Sequence, residues 1–200
     1  KLRAYDQRDD RAFDDLVMLA SMVCEAPIAL VSFVDDEEQW FRAKTGLMID
    51  RTSREVAFCA RTVDAGVTTI VPDARIDPRF AANPLVTGEP HVRFYAGVPL
   101  RVGGSLPLGT LCVLDRVART LRPEQLAGLE ALARQVERLL RLQVTTAARI
   151  RDQAALIERD ARFASVIDAL AQGVVVHAVD GSIERANPVA QQILGLSEAE

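Results

Sequence analysis

The 200-residue sequence predicts an α+β protein: an antiparallel sheet flanked by helices, then a long coiled-coil helix leading into the opening of a second module. Three observations carry that expectation. Ile28-Ala29-Leu30-Val31-Ser32-Phe33-Val34 is a near-continuous apolar run of strand length, which suits a central strand covered on both faces. Hairpin-length connections, Asp35-Asp36-Glu37 and Gly103-Gly104, join strands at both ends of the first domain and make the pairing antiparallel. From Pro123 to about Ala164 apolar residues recur at alternating steps of three and four, the spacing of a coiled-coil seam.

Taken in order, Asp9 to Cys24 places Phe13, Leu16, Val17, Ala20, Val23 and Cys24 on one face of a helix. Pro27 closes the connection to the apolar strand. Gln39 to Thr45 follows as a second strand, with Trp40 and Phe41 on opposite faces. A short helix is expected over Glu55–Val63, carrying Val56, Phe58 and Cys59, and a short strand over Thr68–Val71, stopped by Pro72. Asp73 to Pro90 keeps no period. Asp77-Pro78 suits a helix cap with proline at the first position, opening a single turn through Phe80. An irregular segment of this length inside a compact domain is characteristic of a lid or binding loop. Val92 to Leu100 is a strand with every even position apolar, and Leu108 to Leu114 returns as another, ending at Asp115-Arg116.

Pro123 sits in the first turn of the long helix, a permitted place for it. The seam reads Leu129, Ala133, Val136, Leu140, Gln143, Ala147, Ile150, Ala154, Ile157 and Ala161, with the arginines off the stripe. At about 1.5 Å per residue such a helix runs roughly 60 Å, longer than a small domain is wide. The weak point is Gln143-Val144-Thr145-Thr146, where β-branched residues lower helix propensity and a polar residue enters the seam. The expected division is a first domain over 8–122, a signalling helix over 123–164 whose first part packs on that domain, and an N-terminal fragment of another domain over 165–200. Two copies are expected to pair in parallel along the seam as a homodimer.

After the helix, which continues to Gly173, Val174–Val179 is a strand, Asp180-Gly181 a hairpin turn and Ile183–Ala186 the return. Asn187-Pro188 starts a helix with Val189, Ile193 and Leu194 on one side. Roughly forty residues cannot bury a core alone, so this reads as the front of a second domain.

Composition excludes several classes. A hydrophobic share of 49% is ample for a globular core and too high for a disordered chain. A net charge of −4 argues against a nucleic-acid partner. The longest apolar run, Ala26 to Val34, is far short of the ~20 residues that cross a bilayer, so no membrane insertion is expected in this segment. Cys24, Cys59 and Cys112 are odd in number, widely spaced and set among apolar residues; they read as reduced core thiols of a cytoplasmic protein. With His91 and His177 the only histidines, zinc and haem are not expected, and no metal site, phosphate loop or catalytic triad is visible.

Several runs resemble a bacterial GAF domain. They are Phe41-Arg42-Ala43-Lys44-Thr45-Gly46-Leu47, Glu55 to Thr62, Val71 to Phe80, Asn83-Pro84-Leu85-Val86, Arg93 to Leu100 and Leu108 to Asp115. Phe163 to Glu200, with Gly173-Val174-Val175-Val176, Asp180-Gly181 and Ala186-Asn187-Pro188, resembles the opening third of a PAS domain. The pairing is similar to the sensory half of bacterial signalling proteins that end in a cyclic-di-GMP enzyme or a histidine kinase. It implies a non-enzymatic segment that binds a small ligand or dimerises, and passes a conformational signal along the helix.

That resemblance implies a ligand between one sheet face and the segment from Asp73 to Pro90. The candidate contacts are His91, Arg93 and Tyr95 on the odd face of their strand, with Asp73, Asp77, Arg79, Phe80 and Cys59 around them. Arg93 either pairs with an anionic ligand or, the favoured reading, pins the loop through Asp73 or Asp77, and Asp77 and Arg79 read as loop staples ahead of ligand contacts. Two other chemistries belong to GAF-like folds. A free methionine sulfoxide reductase needs exposed, activated cysteines near one another, whereas Cys112 lies mid-strand among apolar residues. Bilin attachment typically has His directly after the Cys, whereas Ala60 follows Cys59 and Val113 follows Cys112. No cofactor is required, and the ligand is not identified.

Overall fold

The computed structural model describes residues 11–104 and 106–195. The helix start expected at Asp9 and the chain past Gly195 lie outside the described residues. The first unit runs from α1 (Arg11–Cys24) through β1 (Ile28–Val34), β2 (Glu38–Thr45), β3 (Arg51–Ser53), α2 (Phe58–Ala65), β4 (Thr69–Val71), α3 (Pro84–Thr87), β5 (Phe94–Leu100) and β6 (Gly109–Asp115) into α4 (Pro123–Ala169). The sheet order is β3-β2-β1-β6-β5-β4, antiparallel at every pairing.

β1 is buried at every position because it lies between β2 and β6 with a layer on each face. On one face α1 and the first half of α4 cover Ala29, Val31, Phe33, Phe94, Ala96, Leu111 and Val113. On the other, α2, α3 and the loops around them cover Ile28, Leu30, Phe41, Tyr95, Cys112 and Leu114. A bulge in β2 sets which residue points where: Val31 pairs with Ala43 and Ser32 with Phe41, leaving Arg42 as the extra residue. That single insertion keeps Trp40 and Ala43 on the helix face despite their odd spacing, and sets the Arg42 guanidinium 4.5 Å over the Phe13 ring.

Four differences from the sequence expectation have local causes. β3 is three residues, Arg-Thr-Ser, with no apolar alternation to mark it. α3 is one turn, capped by the Asn83 side chain accepting from Leu85 N at 2.8 Å. β5 begins at Phe94 because Val92 N donates to Leu85 O, tying that residue to the lid. α2 begins at Phe58, three residues later than expected, and Ala57 remains extended before it.

α4 passes unbroken through Gln143-Val144-Thr145-Thr146. The Thr145 hydroxyl donates back to the Arg141 carbonyl, which keeps a polar β-branched residue inside a helix. The heptad column divides there. Leu129, Ala133, Val136 and Leu140 are buried in the first unit's own core, so these four expected seam residues face their own sheet. Gln143 and Ala147 are half-buried, and from Ile150 on the column is exposed, with Ile150 at 62% and Ile157 at 63% exposure. Near its start α4 crosses α1 at Gly128, where a Cβ would stand 2.7 Å from Val23 Cγ1.

The chain divides into compact units between Thr145 and Thr146. In the second, β7 (Val175–His177) and β8 (Ile183–Ala186) form a hairpin, and α5 (Pro188–Leu194) follows. Asn187 organises it. Its buried amide oxygen accepts from Val174 N and Ala190 N at 2.9 Å each, and its nitrogen donates to Ile167 O at 3.1 Å and Gln172 O at 2.8 Å.

Candidate functional site

The lid is the chain from α2 to β5, and it lies on the sheet face opposite α1 and α4. β5 sends its odd-numbered side chains toward it. Tyr95 is fully buried there, its hydroxyl hydrogen-bonded to the Thr62 hydroxyl at 2.8 Å and its ring 5.4 Å from that of Phe58. The ring lies over Gly97, where a Cβ would come within 2.0 Å of the phenol oxygen; only glycine leaves that space. Phe80 reaches in from the loop and stacks on Phe58, centroids 4.2 Å apart and planes 2° from parallel. Cys59, in the first turn of α2, meets Cys112 of β6 with the sulfurs 3.5 Å apart. The structure thus brings together Tyr95, Phe80 and Cys59 from the candidate set.

The others lie on the lid's outer side. Asp73 accepts from Arg75 N at 3.0 Å and pairs with its guanidinium at 2.6 Å. Asp77 does the same with Arg79, at 3.0 and 2.6 Å. The Arg75 guanidinium, helped by its backbone N–H, holds the Asp73 carboxyl down to about 2, and Arg79 lowers Asp77 in the same way. Arg93 donates to the carbonyl oxygens of Val86 at 2.8 Å and Val92 at 3.2 Å, while Ala74 N donates to Arg93 O at 2.6 Å. The lid is therefore stitched to β5 through backbone carbonyls. His91 is exposed, at a φ of +59°, with its ring 3.7 Å from the Glu89 carboxylate.

Between lid and sheet, toward the β2–β3 edge, lies a cavity of about 40 Å³. Its walls are mainly apolar: Leu30, Phe41, Leu47, Ile49, Phe58 and Leu85. At one end stand two polar side chains from facing positions of adjacent strands, Gln39 and Thr52. Gln39 is 4% exposed. Its Oε1 and the Thr52 Oγ1 are buried, and neither has a hydrogen-bond partner among the described residues. Sequence reasoning missed both. Gln39 alternates with Phe41 on the lid face, a polar residue in a column of buried ones, and that was the available signal; β3 offered none.

The thiols are unequal. Burial raises Cys59, but hydrogen bonds from Cys112, Ser32, Thr110 and Tyr95 outweigh it and bring it down to about 7. Burial, then the neighbouring Cys59 sulfur, push Cys112 up, and burial does the same to Tyr95, which stays a phenol. Of the two, Cys59 is the more acidic. No group of three or more potential metal ligands occurs among the described residues.

A family model described as GAF domain matches residues 10–140, and one described as PAS domain matches residues 161–200. A cyclic di-GMP phosphodiesterase of Pseudomonas aeruginosa is 43% identical over 137 residues, 68% of this chain and 23% of that protein. The chain thus spans under a quarter of the length of that curated relative. Among solved structures, a free methionine-R-sulfoxide reductase from Neisseria meningitidis superposes with a TM-score of 0.56 at 17% identity, over 72% of this chain and 85% of that one. The GAF domain of an Acinetobacter phosphoenolpyruvate-protein phosphotransferase gives 0.54 at 16%, over 68% and 86%. At such identities these two likenesses speak for the fold alone.

Proposed function

The chain belongs to the GAF domain family, and from that premise we propose that its lid-side cavity receives a small molecule and that α4 carries the change out of the domain. The segment is the sensory, regulatory part of a signal-transduction protein, a GAF domain followed by PAS-like sequence. The observation that carries the cavity reading is the pair of unpartnered buried oxygens, Gln39 Oε1 and Thr52 Oγ1, at one end of an apolar space. A buried polar atom left without a partner costs about 1–3 kcal/mol. A molecule that meets both recovers that cost on binding. The Gln39 amide oxygen only accepts, so the ligand brings an N–H or O–H group on a small, neutral, largely apolar body. Cys59 and Phe58 form the inner wall of this site in our reading, with Phe80 and Tyr95 packed behind Phe58. Arg93 and the Asp73 and Asp77 pairs hold the lid, with His91 at its margin.

The signal route follows from packing. Leu129, Ala133, Val136 and Leu140 of α4 pack on the opposite face of the sheet that floors the cavity, so a shift of the sheet is felt by α4. A ligand that binds one packing more tightly than another biases the helix between them. From Gln143 on, the column Gln143, Ala147, Ile150, Ala154, Ile157 and Ala161, exposed from Ile150 onward, pairs two copies in parallel, and alanines allow close approach. We divide the chain functionally at 8–122, 123–164 and 165–200. By analogy with the phosphodiesterase relative, the output is cyclic-di-GMP turnover in the cytoplasm, performed outside this non-enzymatic segment.

Mass spectrometry of the purified protein under native and denaturing conditions tests the cavity reading. A mass excess on the native ion, released on denaturation, is expected. Equal masses, with unchanged melting across a panel of small alcohols and amides, would overturn it.

A further inference from the structure

We propose that Cys59 and Cys112 are a peroxide-reactive dithiol: a hydroperoxide small enough to enter the lid-side cavity oxidises them to a disulfide that ties α2 to β6. Three observations point there. The sulfurs are 3.5 Å apart, in contact and unbonded, so closing to the roughly 2.05 Å of a disulfide asks for little movement. Cys59 is itself part of the cavity wall, and Cys112, which is not, stands against its sulfur. The cavity is small enough to select: at about 40 Å³ it admits a molecule the size of hydrogen peroxide and excludes a tripeptide thiol. Cys24, the third thiol, lies in the core on the opposite face of the sheet.

The electron count closes with the peroxide as the named oxidant. Cys59 sulfur, as thiolate, attacks one peroxide oxygen; an S–O bond forms, the O–O bond breaks, and the departing oxygen leaves as alcohol or water with the proton that Cys59 gave up. The Cys112 sulfur then attacks the Cys59 sulfenic acid. The S–S bond forms, the S–O bond breaks, and the hydroxide leaves as water with the Cys112 proton. Two thiols lose two electrons and the peroxide gains them. The lowered proton affinity of Cys59 beside Cys112 favours the attacking thiolate. A bond between the lid helix and a central strand would fix the lid over the cavity. Oxidation is thus a second input to the same domain, and a molecule seated in the cavity competes with it.

The test treats the full chain with hydrogen peroxide, then unfolds it in N-ethylmaleimide and reads the intact mass and the peptide map. The expected product takes up one maleimide, at Cys24, and yields a Cys59–Cys112 cross-linked peptide that dithiothreitol releases. Cys112→Ala should leave Cys59 as a sulfenic acid that dimedone traps. The proposal is overturned if all three thiols stay alkylatable after peroxide, if Cys24 reacts first, or if Cys59 proceeds to sulfinic acid with Cys112 still free.

Discussion

Replacing Ile157 by Asp and Leu140 by Asp probes one heptad column with opposite expected outcomes. Ile157 is 63% exposed in the single chain, so pairing has about two-thirds of the side chain left to cover. Full burial of an Ile stabilises by ~1.5–3 kcal/mol, which leaves ~1–2 kcal/mol per copy and ~2–4 kcal/mol per dimer. Losing that alone weakens dimerisation by roughly 30- to 1,000-fold, and the two facing carboxylates add repulsion. Leu140 is fully buried among Phe13, Val136 and other residues of the first unit's core, so Asp there destabilises the fold by at least ~4 kcal/mol through lost burial and an unpaired charge. Sedimentation velocity over a concentration series, with thermal melts alongside, separates the two effects. Ile157→Asp should sediment as a monomer with the first unit's melting intact, and Leu140→Asp should lose that melting transition. An unchanged dimer for Ile157→Asp, or a folded monomer for Leu140→Asp, would refute the division of the helix at Gln143.

Other expectations concern the lid and the second unit. Tyr95→Phe strips the partner from the buried Thr62 hydroxyl and should cost ~1–2 kcal/mol, a drop of a few degrees in calorimetry. Asn187→Ala removes four hydrogen bonds, the cap of α5 among them, about 3–5 kcal/mol; hydrogen exchange should collapse at Val175–His177 and Ile183–Ala186 while β1 and β6 stay protected. Asp73, held at about 2 by Arg75 against ~3.9 when unfolded, is protonated first in the unfolded chain. Its contribution is therefore complete above pH ~4 and lost as pH falls toward 2. A carboxyl NMR titration should find the low midpoint, and Arg75→Ala should restore the ordinary one.

Much of the architecture is legible residue by residue. The run Ile28–Val34 marks the doubly covered strand, the even positions of β5 separate its two faces, and the heptad spacing marks α4. Periodicity says that a stripe is apolar but not what covers it, so Leu129–Leu140 and Ile150–Ile157 look alike in sequence and differ in space. The bulge at Arg42 shifts the face of every later β2 residue, and nothing in the residue types announces it. Cys59 and Cys112 are 53 residues apart and meet only because β6 pairs with the middle of the sheet beneath α2. The candidate site was visible as a lid over β5. Its polar end was hidden, because Thr52 sits in a strand of three polar-flanked residues whose place comes from pairing with Gln39.

The most direct measurement is a ¹⁵N NMR titration of the full chain with short-chain alcohols and amides, following the cavity and α4 together. Saturable shifts are predicted at the Gln39, Phe41 and Thr52 amides, accompanied at the same midpoint by shifts at Val144 to Ile157. Shifts confined to the cavity, or none that saturate, would contradict the claim that what enters beneath the lid is read along the helix.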